Sequence, residues 1–180
     1  MSEETAKFLQ GKYPVLLTAE QIRAKVRELG RRLSHDYAGK RPVFIGVLNG
    51  GFMFMSDLMR EITIDCEVDF IKISSYGEAM RTSGVVKVRK ELDCHIEGRH
   101  VVVVEDIIDS GHSVNYLVEK LEDEKPASLK IVSLLVKDGG KQIDYQCDYA
   151  GFHIPTRFVV GYGMDYAQIY RNLPAIYVMD

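Results

Sequence analysis

Four consecutive valines, Val101 to Val104, run straight into two carboxylates, Glu105 and Asp106. A run with no polar face to alternate with reads as a strand buried on both sides, the habit of a parallel sheet, and the acids mark its expected end. Ile107-Ile108-Asp109 follows, then Ser110-Gly111-His112-Ser113, a small-residue turn suited to feeding a helix. In open α/β sheets ligands bind beyond the carboxyl ends of strands, where a helix N-terminus holds anions. Carboxylates beside an anion site repel the anion unless a metal or a hydroxyl-rich group lies between them. That tension is the chain's strongest clue to what it binds.

The rest of the chain repeats the strand–helix alternation of an α/β protein. Tyr13 to Leu17 reads as an edge strand. Thr18-Ala19-Glu20-Gln21 has capping-box spacing, and Ile22, Val26, Leu29 and Leu33 follow at helical intervals to an end near Tyr37–Gly39. Arg23, Lys25, Arg27 and Arg31 fall on the solvated faces of this helix. Pro42 to Leu48 is a second buried strand, broken by Asn49-Gly50-Gly51, which suits either a plain turn or an anion-binding loop. Phe52, Met55, Leu58 and Met59 read as the inner face of a short helix. Val68, Phe70 and Ile73 read as core positions of a third strand within Cys66–Ser74. The polar segment from Ser75 to Lys90 suits an exposed hairpin arm or a mobile lid. A helix is expected from about Ser113 to Asp123, a buried strand from Lys130 to Val136, and short apolar runs around Phe158–Val160 and Ala175–Met179.

Composition narrows the class. The chain has 180 residues and a formal net charge of −3, so there is no electrostatic case for nucleic acid or an anionic membrane. Its three cysteines are widely spaced, fit no metal-ligand pattern and suit reduced thiols in the cytoplasm. The acidic, polar start resembles no targeting peptide, and no apolar run nears the roughly 20 residues of a membrane span. The expectation is a soluble, cytoplasmic, single-domain protein.

Several chemistries use acids at a strand end. A P-loop nucleotidase would need GxxxxGK[ST], which is absent. Gly161-Tyr162-Gly163 lacks the third glycine of a dinucleotide fingerprint and comes too late. A phosphoacceptor receiver domain would carry its acidic pair after the first strand, whereas here two or more strands precede it. Sugar-phosphate chemistry uses every feature: carboxylates for ribose hydroxyls, the N–H groups of residues 109–113 for a 5′-phosphate, and magnesium for charge balance.

VVVVEDIIDSGHS resembles the phosphoribosyl diphosphate signature of type I phosphoribosyltransferases. Leu134–Asp138 (LLVKD) and Phe158–Pro174 (FVVGYGMDYAQIYRNLP) narrow the resemblance to the hypoxanthine-guanine branch, and LNGGFMF at Leu48–Phe54 and SSYG at Ser74–Gly77 add support. It implies a central, mostly parallel twisted sheet flanked by helices, a small hood and a flexible lid. The core would cover about 19–142, the hood about 13–18 and 143–180, and the lid about 75–90. The implied activity joins hypoxanthine or guanine to 5-phosphoribosyl-1-diphosphate with Mg2+, in a homodimer or homotetramer.

Residue roles carry over on the same terms. Asp109 matches the acceptor of the purine N7 proton, and Glu105 and Asp106 the residues that hold ribose hydroxyls directly or through magnesium. Ser110, Gly111, His112 and Ser113 match the 5′-phosphate loop, His112 through backbone alone. Lys137 matches the donor to the purine 6-oxo group, Phe158 the aromatic stacked on the base, and Val159 a backbone contact to it. Asp165 matches a second magnesium-linked acid and Arg171 a diphosphate ligand. Asn49 and Gly50 match a diphosphate loop that follows a cis Leu48–Asn49 bond, though many relatives carry lysine where Asn49 stands. Ser75 and Tyr76 match the lid. Without the resemblance, Phe158 reads as core and Lys137 as an ordinary strand-end lysine. A nucleic-acid-binding regulator on the same fold is the competing function; net acidity and the intact Asp109 argue against it.

Overall fold

The valine run lies at the middle of the molecule. In the computed structural model, which describes residues 11–75, 86–139 and 146–179, it belongs to strand β5 (His100–Ile108). Its four valines are 0–1% exposed, with Val101 and Val103 packed on one face of the sheet and Val102 and Val104 on the other. That is the period-2 geometry of a strand covered on both sides, each valine contributing about 1.5–2 kcal/mol of burial.

Around it runs a six-stranded sheet ordered β4-β3-β2-β5-β6-β7. Strands β2 (Val43–Leu48), β3 (Glu67–Ser75), β5, β6 (Ser128–Lys137) and β7 (Tyr149–Ile154) are mutually parallel, and β4 (Val86–Lys90) closes one edge antiparallel to β3. Helices α1 (Ala19–Asp36) and α2 (Phe52–Glu61) cover one face, and α3 (His112–Glu122) covers the other. A separate three-stranded sheet joins the two ends of the chain: β1 (Val15–Leu17), β9 (Ile176–Val178) and β8 (Val159–Val160). The expected α/β architecture, a mostly parallel sheet flanked by helices, is the one observed. Among the described residues no helix is long and apolar enough to cross a membrane.

Local signals account for much of this. Helix α1 starts with both reciprocal bonds of the capping box: Gln21 N–H donates to Thr18 Oγ1 at 3.2 Å, and Thr18 N–H donates to Gln21 Oε1 at 2.8 Å. Its buried stripe is Ile22, Val26, Leu29 and Leu33, as the spacing predicts. Two apolar expectations fail. Phe52 is 41% exposed, because Phe54, Met55 and Leu58 set the buried face of α2 and leave its first residue at the rim. Val68 is 48% exposed and Phe70 only half-buried, while Ile71 is fully buried. Phe70 packs only at the margin of the cluster under α1 and α2 and Val68 joins neither core cluster, whereas Ile71 packs in the cluster around α3. Of the expected lid, Tyr76 and the rest of 76–85 lie outside the described residues. Strands β3 and β4 bracket that segment as an antiparallel pair, with Ile73 opposite Val88.

Candidate active site

Three strand ends converge. Strand β2 delivers Asn49 and Gly50, β5 delivers Glu105, Asp106 and then Asp109, and β6 ends on Lys137. Parallel pairing makes this automatic: Glu105 lies opposite Ser133 and Ile108 opposite Val136, so the turn after β5 lies level with the end of β6. The strand does not stop at the acids, as its composition suggested, but carries them inside it and continues to Ile108.

Burial of both acids follows, Glu105 being 9% and Asp106 6% exposed. Desolvation, and then the charge of Asp106 beside it, push the Glu105 carboxyl well above the usual carboxylate range. Burial raises Asp106 too, against hydrogen bonds from Glu105 and nearby backbone N–H groups. Burial and mutual repulsion thus disfavour two full charges on this pair. Asp106 also lies against the β2 turn, where a Cβ on Gly50 would collide with its carboxylate. Glycine at 50 is a requirement of this contact.

Beyond Asp109 the chain enters α3 through Gly111, whose φ of +82° is a left-handed conformation that suits glycine. No side chain caps this helix, so its leading N–H groups face the turn of Asp109, Ser110, Gly111 and Ser113. That turn and the acidic pair line a cavity of about 220 Å³. A second cavity, of about 340 Å³, adjoins it and is lined by Asn49, Gly50, Lys137, Phe158, Val159, Met164, Asp165 and Arg171. Asp106, Ile107 and Asp109 line both. The two form one cleft with Asp109 at its junction.

Within the second cavity Lys137 Nζ lies 2.7 Å from Asp109 Oδ2, the lysine side chain being 10% and the aspartate 61% exposed. Phe158 is exposed along the wall and meets Tyr166 edge-on, with ring centroids 5.9 Å apart at 84°. Arg171 Nη2 pairs with Asp165 Oδ1 at 2.6 Å, and Arg171 Nη1 donates to the Gly163 carbonyl at 2.7 Å. The Leu48–Asn49 peptide is cis, as expected. His112 is the exposed first residue of α3. Ser75 ends β3, and Tyr76 lies outside the described residues.

Among the described residues no three His, Cys, Asp or Glu side chains cluster as a ready metal cage. Two adjacent carboxyls at an open cavity still suit a hard divalent cation that keeps waters or substrate oxygens for its other positions. Sequence reasoning missed Met164 and Ile107, which line the cleft, and Tyr162, whose Oη donates to Asp57 Oδ2 at 2.7 Å and ties the 159–165 segment to α2. None of these had a local signal: Tyr162 and Asp57 are 105 positions apart.

Comparison with known proteins converges on one family. A family model, the phosphoribosyl transferase domain, matches residues 15–167. The chain is 48% identical over 165 residues to the hypoxanthine-guanine phosphoribosyltransferase of Bacillus subtilis, covering 92% of each protein. It is 46% identical to the bifunctional protein TilS/HprT of Listeria monocytogenes, matching 92% of this chain but only 26% of that protein. Among solved structures it resembles a hypoxanthine phosphoribosyltransferase from Staphylococcus aureus, with a TM-score of 0.90 at 40% identity, covering 96% of this chain and 95% of that one. It also resembles a hypoxanthine-guanine phosphoribosyltransferase from Bacillus anthracis, with a TM-score of 0.87 at 44% identity, covering 92% and 98%.

Proposed function

This chain belongs to the phosphoribosyl transferase family, and on that premise we propose that it transfers the 5-phosphoribosyl group from 5-phosphoribosyl-1-diphosphate to N9 of hypoxanthine or guanine. The observation that carries the reading is the position of Asp109. It stands where a cavity fit for a sugar phosphate meets one fit for a flat base, within 2.7 Å of Lys137.

In this reaction the bond from C1′ of the ribose to the diphosphate oxygen breaks as the bond to purine N9 forms, and the N7 proton leaves the base. Asp109 accepts that proton as positive charge grows on the ring. The ion pair it makes with Lys137 opens as the base enters: Lys137 turns to the 6-oxo group, and Asp109 to N7–H. An ammonium is donor-only, so it favours a 6-oxo group over the 6-amino group of adenine by about 100-fold or more. Phe158 stacks on the base, its ring braced by Tyr166, and Val159 contributes backbone groups.

On the sugar side, Glu105 and Asp106 take the ribose hydroxyls, and the N–H groups at the start of α3, with Ser110 and Ser113, take the 5′-phosphate. Asn49, Gly50 and Arg171 serve the diphosphate. Glu105 and Asp106, with Asp165 as a second magnesium-linked acid, would hold magnesium, which would supply positive charge against the diphosphate. Residues 13–18 and the part of 143–180 that follows β7 act as a hood over the core, to whose sheet β7 itself belongs, and 75–90, with Ser75 and Tyr76, as a lid that excludes water from an oxocarbenium-like transition state. The active species is a homodimer or homotetramer working in the cytoplasm, where its three free thiols stay reduced.

Asp109→Ala tests the assignment. Turnover should fall by about 10²-fold or more, while binding of 5-phosphoribosyl-1-diphosphate, measured by calorimetry, stays within about threefold of the parent. Parental turnover in the variant removes Asp109 from the mechanism.

A further inference from the structure

Between Asp165 and Arg171 the chain doubles back through Ala167 and Gln168, whose φ angles are +51° and +69°. Tyr166 and Ile169 pair across them through two backbone hydrogen bonds of 3.1 Å. This is a two-residue hairpin of the kind that ordinarily takes Asn-Gly or Gly-Gly. Residues with a Cβ resist left-handed backbone, and such a conformation persists where the surroundings over-determine it.

Gln168 is where that happens. Its backbone N–H donates to Asp165 Oδ2 at 2.8 Å, and its side-chain Oε1 accepts from Arg171 Nη2 at 3.3 Å. The same guanidinium holds Asp165 Oδ1 at 2.6 Å and the Gly163 carbonyl at 2.7 Å. One exposed residue thus grips the acid with its backbone and the arginine with its side chain. A free arginine samples many rotamers and loses them on meeting a phosphate; one already gripped on both sides loses fewer. Since Gln168 is exposed, its value lies in aiming Arg171.

We propose that Gln168 is a positioning residue for diphosphate, using a left-handed backbone to fix Asp165 and its carboxamide to direct Arg171 into the cleft. The proposal rests on the reading of Arg171 as a diphosphate ligand. It predicts that stability and ligand affinity separate on mutation, which a merely structural turn residue would not show.

The test compares the parent, Gln168→Gly and Gln168→Glu in three measurements: thermal unfolding without ligand, calorimetric titration with magnesium diphosphate, and steady-state kinetics. Glycine is at ease in this turn, so Gln168→Gly should melt within about 3 °C of the parent. It should bind magnesium diphosphate about fivefold more weakly and raise KM for 5-phosphoribosyl-1-diphosphate by a similar factor, with kcat and the KM for hypoxanthine unchanged. Gln168→Glu keeps an acceptor at the same reach and should recover affinity to within about twofold of the parent. Parental diphosphate affinity in Gln168→Gly overturns the proposal, and so does a loss of melting temperature beyond that margin. A parent that binds no diphosphate overturns instead the assignment of Arg171.

Discussion

Replacing Asp69 by asparagine should cost the protein about 3 kcal/mol of stability at neutral pH. Asp69 is a 7% exposed carboxylate on β3 whose two oxygens are fully used. Oδ1 accepts from the N–H of Phe70 at 2.7 Å and from Lys90 Nζ at 3.4 Å; Oδ2 accepts from the N–H groups of Asp93 and Cys94 at 2.7 and 2.9 Å. Burial alone would raise its pKa, but the N–H groups of Cys94, Phe70 and Asp93 outweigh it and hold the group at about 2. An amide keeps one of the two oxygens and aims an N–H at two donors that lose their acceptor, each worth about 1–3 kcal/mol. Urea unfolding should show the midpoint falling with an unchanged slope, and the melting temperature should drop by roughly 10 °C.

The pH dependence follows from the same bonds. A depressed carboxylate pKa contributes stability that is complete well above the unfolded value of 3.8 and is lost as pH falls through about 2. The gap between parent and Asp69→Asn should therefore narrow by about 1 kcal/mol between pH 6 and pH 3. Because Asp69 anchors β4 and the turn after it to β3, the loss falls on the return arm of the segment proposed as a lid. A variant within about 0.5 kcal/mol of the parent at pH 7, or a gap that does not change with pH, would refute the reasoning.

Two further substitutions probe the cleft. Tyr162→Phe removes the 2.7 Å bond to Asp57 and should cost about 1 kcal/mol in urea unfolding, less than a fully buried bond because Asp57 remains partly hydrated. Lys137→Met removes the partner of Asp109 and the 6-oxo donor. It should raise KM for hypoxanthine by about tenfold or more, leave that for 5-phosphoribosyl-1-diphosphate unchanged, and alter stability by under about 1 kcal/mol, since Asp109 is largely exposed.

What the chain disclosed in advance was whatever it wrote locally. The valine run, the capping box of α1, the glycine before α3 and the strand ending at Lys137 each state their structure within a few residues. Phe52 and Val68 misled because a hydrophobic side chain does not say where helix cover ends. Asp69 reads as an ordinary strand position, and only the folded chain brings Lys90, Asp93 and Cys94 to it. The Tyr162–Asp57 and Lys137–Asp109 pairs likewise exist only once separate elements meet. The left-handed turn at Ala167-Gln168 was hidden for the opposite reason: its residues are not those that such a turn ordinarily selects. The role proposed for each residue in the cleft rests on resemblance, and geometry supplies its neighbours.

On the function proposed, Lys137 and Asp109 together define a site for a 6-oxopurine next to a site for phosphoribosyl diphosphate. The most direct test of that function gives the purified protein magnesium, 5-phosphoribosyl-1-diphosphate and either hypoxanthine or adenine, with nucleotide and diphosphate release followed side by side. Hypoxanthine should be converted to its nucleoside monophosphate with one diphosphate per turnover, and kcat/KM for adenine should be lower by about 100-fold or more. Equal use of both bases, or no turnover of hypoxanthine or guanine, would contradict that function.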